Sequence, residues 1–230
     1  MIIGFILVYF VIVALFMYAN YYDLVLMRGV LKALCGIMFV LIPVLVSKDN
    51  KKIRSTKYFK TMMVGLILAC VGDVLLDIDN SNFSILFVLG MLFFALTHVM
   101  FSVSFLKHIK FNKITFISLL CVLCATLLLL NFFNLINAGD LTLVINLYAL
   151  IISVMVSFAI TLFTKKELNK YFKNATLLGV ILFALSDLIL VFALFGNNPT
   201  KGLLLTNNLI YYIAQLIIGI SFYKVKASYK

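Results

Sequence analysis

The chain has 230 residues, 65% of them hydrophobic and only 12% charged, about half the charged share of ordinary soluble domains. That composition excludes a water-soluble globule, and no Ser/Gly-rich linker, low-complexity run or long polar tail sets off a separate soluble domain. The net charge of +11 does not point to nucleic acid, because the basic residues lie in loops between apolar runs and show no groove-reading or base-stacking pattern.

A mean hydropathy of +1.19 fits a stack of apolar helices, each needing about 20 residues to cross a hydrocarbon core of ~30 Å. Eight spans are predicted, at 2–18, 30–46, 61–78, 83–106, 114–133, 141–163, 174–195 and 203–223. Together they make an all-α, polytopic membrane bundle, read as one domain over 1–230. The first span has no basic segment ahead of it and no small-residue cleavage site, so it is expected to remain as a helix. The second carries Lys32 near its outer end, within snorkelling reach of the headgroups, where it can pair with a carboxylate or hold a lipid phosphate. The third carries Asp73 and, one turn further on the same face, Asp77 near the outer interface. The fourth carries His98, about 22 Å from a start at Phe83. The fifth holds Cys121 and Cys124, a lone CxxC with no second Cys pair or His to complete a zinc site, so ordinary helix packing is expected there. Asp187 lies in the seventh span, and Tyr211, Tyr212 and Gln215 lie in the eighth.

Loop charge supports the count. Sixteen of the nineteen Lys and Arg residues fall in the loops after the second, fourth and sixth spans and after the eighth. The opposite loops hold Arg28 and Lys201. Basic loops are cytoplasmic, so both termini are expected in the cytoplasm and the number of spans is even. Abundant Lys, Asn and Ile hint at an AT-rich genome and a bacterial inner membrane.

The stretch GLILACVGDVLL at 65–76 aligns without gaps on GVILFALSDLIL at 179–190, bringing Asp73 onto Asp187 at an offset of 114 residues. Two parallel four-helix halves are therefore expected, a repeat type found in membrane proteins. Asp73 is twelve residues past Thr61 and Asp187 thirteen past Asn174, so the carboxyls lie about 18 and 20 Å from the cytoplasmic helix ends. That is one level. Ionisable groups at such depth usually face a bundle interior or a wet cavity and mark function. Two carboxyls brought together in low dielectric share a proton near neutral pH, which makes such a pair a general acid and base. A purely structural reading instead gives each aspartate an interhelical bond, to Lys32 or to a backbone group. By the same count His98 lies several ångströms deeper than the aspartates, as an interhelical hydrogen-bonding group or a member of the site.

GDVLL at 72–76, LGMLFFALTHVMF at 89–101, LFALSDLIL at 182–190 and IYYIAQLIIG at 210–219 resemble, in order and spacing, the lysoplasmalogenase family of membrane proteins, also called YhhN-like. The string LKALCG at 31–36 departs from that pattern, with Ala33 where a proline is expected after Lys32. The resemblance implies hydrolysis of the vinyl ether bond of a single-chain ether lysophospholipid drawn from the membrane, releasing a fatty aldehyde and a glycerophospho-alcohol. It implies no metal and no other cofactor. Asp73 and Asp187 then form the acid/base pair, with Lys32, Asp77, His98, Tyr211, Tyr212 and Gln215 as binding or orienting groups. The competing classes are a non-enzymatic lipid-binding or proton-coupled transport protein using the same polar pocket, and a membrane scaffold.

Overall fold

The computed structural model describes residues 2–48, 50–78, 85–132 and 136–224. The predicted span positions 83, 84 and 133, and the basic residues Lys226 and Lys230, lie outside the described residues. Among the described residues eight helices are long and apolar enough to cross a membrane, and no strand occurs. They are α1 (Ile2–Tyr21), α2 (Val25–Val46), α3 (Lys57–Ile78), α4 (Ile85–Phe105), α5 (Lys113–Leu127), α6 (Thr142–Phe163), α7 (Lys170–Phe195) and α8 (Lys201–Ser221). The protein is a polytopic, integral membrane bundle.

Polar residues mark the helix ends. Asn112 and Thr115 form a reciprocal capping box at the start of α5. Asn169 caps α7 by accepting from the Tyr171 and Phe172 amides, and Thr200 caps α8 by accepting from Leu203. Each satisfies amides that the first helical turn leaves without partners. At the end of α2, Arg54 donates to the Val44 carbonyl (2.5 Å), occupying a carbonyl that the last turn leaves open, and to the Ser47 hydroxyl oxygen (3.1 Å).

One boundary differs from the predicted spans in a way that matters. The second span was expected to begin at residue 30 with Arg28 in the preceding loop, yet α2 begins at Val25 and takes Arg28 into the helix, 8% exposed. The cost of burying this cation is offset by a carboxylate on α3, described below. The turn between α1 and α2 is correspondingly tight and passes through Asp23 with a left-handed φ of 55°.

The packing order of the first four helices repeats in the last four. In one half α1 packs on α2, α2 on α3 and α3 on α4; in the other α5 packs on α6, α6 on α7 and α7 on α8. The halves join through α4 on α6 and, equivalently, α8 on α2. This is the two-half arrangement expected from the matched strings around Asp73 and Asp187. The symmetry breaks at α1, which also packs on α8 and is pinned there by the Tyr9 hydroxyl donating to the Tyr212 carbonyl (2.8 Å).

The hairpins α3–α4 and α7–α8 are the closest pairs, and glycine permits the approach. A Cβ on Gly72 would lie 2.9 Å from the Phe94 ring, and one on Gly179 would lie 2.6 Å from Ile218. Small residues at such crossings let helix backbones meet where lipid supplies no hydrophobic drive for association. Phe94 cannot swing away freely, since its ring stacks on Tyr211 (5.8 Å) and Phe183 (6.3 Å). Gly72→Val is therefore expected to lower the unfolding free energy by about 1–3 kcal/mol through overpacking, read as a lower melting temperature in detergent. An unchanged melting temperature would show that the α3–α4 crossing has slack.

Candidate functional site

Asp73 and Asp187 are 4% and 5% exposed, and both line a single cavity of 530 Å³. Its walls come from α1, α2, α3, α4, α7 and α8. Its rim lies at the end of the bundle away from the basic loops, where Asp23, Pro199, Thr200 and Lys201 are exposed. Lys201 and Asp23 form an ion pair of 2.6 Å across this rim. Inward, the lining ends at the level of the aspartates, against Phe94 and Tyr211.

Each aspartate is held by a side chain from the other half of the chain. The Tyr211 hydroxyl on α8 donates to Asp73 Oδ2 on α3 (2.8 Å). His98 Nε2 on α4 lies 2.9 Å from Asp187 Oδ2 on α7. His98 and Tyr211 are separated by 113 residues and the two aspartates by 114, so the two stations are near-equivalents under the repeat. They differ in partner: imidazole at one, phenol at the other. Phe183, one turn before Asp187, stacks on both partners, 4.6 Å from the His98 ring and 5.5 Å from the Tyr211 ring.

The Asp187 station has a third member. Tyr148 on α6 donates to Asp187 Oδ2 at 3.4 Å, and its oxygen is 3.0 Å from His98 Nε2, closing a triangle of carboxylate, imidazole and phenol. His98 Nδ1 faces the Met155 sulfur at 3.3 Å, a soft contact. Asn207 ties α8 to this region by donating to the Ser186 carbonyl, one residue before Asp187 (2.7 Å).

Nearer the rim, Asp77 is met by two cations from α2, Arg28 Nε at 3.0 Å and Lys32 Nζ at 3.8 Å. Arg28 and Lys32 are one helical turn apart and so share a face. Among the described residues two cations thus meet one carboxylate. Asp77 was read as near the outer interface; its side chain is only 12% exposed.

Lys32, Asp73, Asp77, Asp187 and Tyr211 thus line one cavity, and His98 stands behind Asp187. The depth count placed His98 below the aspartates, yet its ring reaches one of them directly, because counting along an axis omits helix tilt and side-chain length. The bond to Lys32 or backbone that the structural reading assigned to Asp73 is made by Tyr211. Tyr212 and Gln215 are not in the cavity wall. The Tyr212 ring packs edge-on against Phe16 (5.4 Å), and its hydroxyl and the Gln215 amide have no hydrogen-bond partner among the described residues. All four cysteines are free, and Cys121 and Cys124 are exposed on α5. No group of three metal-ligating side chains occurs among the described residues.

Sequence reasoning missed Arg28, Tyr148 and Asn207. The i, i+4 spacing of Arg28 and Lys32 was the available signal for the first. Tyr148 carries none, being one aromatic among many in an apolar span.

The family model of the YhhN family matches residues 27–222, from the second helix to the end of the eighth. The chain belongs to the YhhN family. No curated protein and no solved structure matches it. The match takes in every side chain of the two stations and the Arg28–Lys32–Asp77 cluster in this YhhN chain, and leaves out α1.

The cation cluster makes a test of the geometry. Removing one partner of a nearly buried ion pair leaves an uncompensated charge and costs about 3–5 kcal/mol. Arg28→Met is expected to destabilise the protein strongly, while Arg28→Met combined with Asp77→Asn recovers part of the loss. The cycle is read by unfolding in detergent, and simple additivity of the two substitutions would contradict a direct Arg28–Asp77 interaction.

Proposed function

We propose that this YhhN-family protein is a hydrolase that cleaves the vinyl ether bond of lysoplasmalogen-type, single-chain lysophospholipids. The observation that carries this reading is the sharing of one cavity by two buried carboxyls, each with a different hydrogen-bonding partner. Breaking a vinyl ether requires a proton on the alkenyl carbon β to oxygen, which gives an oxocarbenium ion. Water adds to the carbon bearing oxygen, forming a hemiacetal, and the hemiacetal collapses to a fatty aldehyde and the free glycerol hydroxyl. One carboxyl must donate a proton to carbon, and the other must accept one from water, a division of labour like that of glycosidases.

The two stations suit these roles. Asp73 is the donor, held by a neutral phenol and turned to the cavity. Asp187 is the acceptor; its imidazole partner His98 stabilises the carboxylate and orients it, as Tyr148 does. Arg28 and Lys32 take the phosphate, since both line the cavity and bring charged N–H donors to it. Asp77 in turn fixes the two cations in place. The basic loops on one end of the bundle and the Lys-, Asn- and Ile-rich composition support a bacterial cytoplasmic membrane as its location.

The alternative is a lipid-binding or proton-coupled transport protein using the same pocket. The cavity closes at the aspartates against Phe94 and Tyr211, which favours chemistry at a dead end over passage through the bundle.

Purified protein in detergent, given a 1-alkenyl lysophosphoethanolamine, is expected to release aldehyde. Asp73→Asn and Asp187→Asn should each lower kcat by roughly 100-fold or more, the usual contribution of a positioned acid or base, with folding intact. Wild-type activity in either folded variant would remove that residue from the chemistry. Proton-dependent flux in proteoliposomes without covalent change to the lipid would favour the carrier.

A further inference from the structure

Asp187 faces a second cavity. This one, of 220 Å³, lies between α5, α6 and α7, and besides Thr126, Tyr148 and Asp187 its wall is aliphatic. None of the three polar members offers a polar ligand much there. The Thr126 hydroxyl donates to its own helix at the Val122 carbonyl (2.8 Å), and the Tyr148 hydroxyl is engaged by His98 and Asp187. α5 packs on α6 and α6 on α7, whereas α5 and α7 share no comparable interface. The cavity is thus a crevice floored by α6, and Leu185 on its α7 wall is 42% exposed on the surface that meets hydrocarbon.

The end of α5 is shaped around it. From Leu128 to Phe132 the helix continues as a π-helical turn, a widened geometry that commonly accompanies functional sites. Leu130 within that turn lines the crevice and is only 3% exposed.

We propose that this crevice holds the alkyl chain of the substrate, the reactive carbons lying at Asp187 where the polar and apolar cavities meet. The assignment rests on the vinyl-ether reading of the polar cavity and adds the binding site for the tail. A single-chain amphiphile needs three regions in series: a charged one for phosphate, a proton-transferring one for the ether and a dry one for the chain. Arg28 and Lys32, then Asp73 and Asp187, then the crevice supply them in that order. The polar cavity closes against aromatic rings at the aspartates, so a chain continuing beyond the ether has to leave sideways, and the crevice borders Asp187 on that side. Its opening toward lipid also lets a chain slide in from the leaflet without leaving hydrocarbon.

Two variants narrow the crevice while leaving the aspartates and their partners unsubstituted: Ala184→Phe on α7 and Val122→Phe on the peripheral α5. Each is tested on a long-chain alkenyl lysophospholipid and on one with a much shorter chain. Because each buried methylene contributes to binding, the long-to-short ratio of kcat/KM should fall roughly ten-fold or more relative to wild type, with short-chain turnover retained. Equal loss on both substrates, or an unchanged ratio in both folded variants, would overturn the assignment.

A second measurement does not depend on turnover. A lysophospholipid bearing a diazirine at mid-chain is photolysed with the protein in nanodiscs, and the adducts are mapped by mass spectrometry. Saturable labelling on α5 and α7 around Val122, Leu185 and Leu188, competed by unlabelled lysolipid and lost in Ala184→Phe, is expected. Such labelling without aldehyde release from a vinyl-ether substrate would keep the crevice and remove the hydrolase. Aldehyde release with labelling confined to α2, α4 and α8 would do the reverse.

Discussion

A carboxyl in the hydrocarbon depth of a membrane has no water to solvate it, and the bundle must supply its partners from within. Asp73 and Asp187 impose that demand twice. In both cases the nearest partner comes from the fourth helix of the opposite half: Tyr211 on α8 for Asp73 and His98 on α4 for Asp187. These bonds cross the boundary between the halves and tie α4 to α7 and α8 to α3 through the bundle interior. The aromatic ring of Phe183, stacked on both His98 and Tyr211, couples one station to the other. Much of what surrounds them serves to hold these groups at one level, including the glycine crossings at Gly72 and Gly179 and the Asn207 bond to α7.

A duplicated frame with unequal stations also accounts for how one site can hold both an acid and a base. Identical surroundings would give the two carboxyls the same task. Among the described residues a phenol stands at Asp73, while Asp187 has an imidazole and a phenol. Arg28 and Lys32 likewise both come from α2, meeting Asp77 near the rim. Departure from symmetry, more than symmetry itself, carries the proposed chemistry.

The spans were legible because lipid imposes a length and an apolarity on each helix that hydropathy reads directly. The common level of the aspartates was legible because rise per residue is constant, though both helices begin four residues earlier than expected, at Lys57 and Lys170; their relation was legible because the strings around them match. Arg28 was not legible. Next to a loop it reads as one more topological charge, and only the carboxylate of Asp77, brought over by the α2–α3 packing, makes its burial tolerable. Tyr148 was hidden for a different reason: a hydroxyl on a ring in an apolar span looks like packing until its partners are known. His98 fell between these cases, with its depth visible and its partner not. Tyr212 and Gln215 are the converse, since their place beside Tyr211 in the eighth span put them among the expected binding groups while the cavity wall leaves them out.

The proposed hydrolysis hinges on a proton delivered to carbon, which separates it from hydrolysis by attack at phosphorus or at an acyl carbonyl. The direct measurement is the reaction in D2O, with the aldehyde trapped at once as an oxime and analysed by mass spectrometry. One deuterium on the carbon next to the former carbonyl, incorporated by wild type, and loss of product formation in folded Asp73→Asn are the results expected. Aldehyde without deuterium at that carbon, or product formation unaffected by the loss of Asp73, would contradict the mechanism.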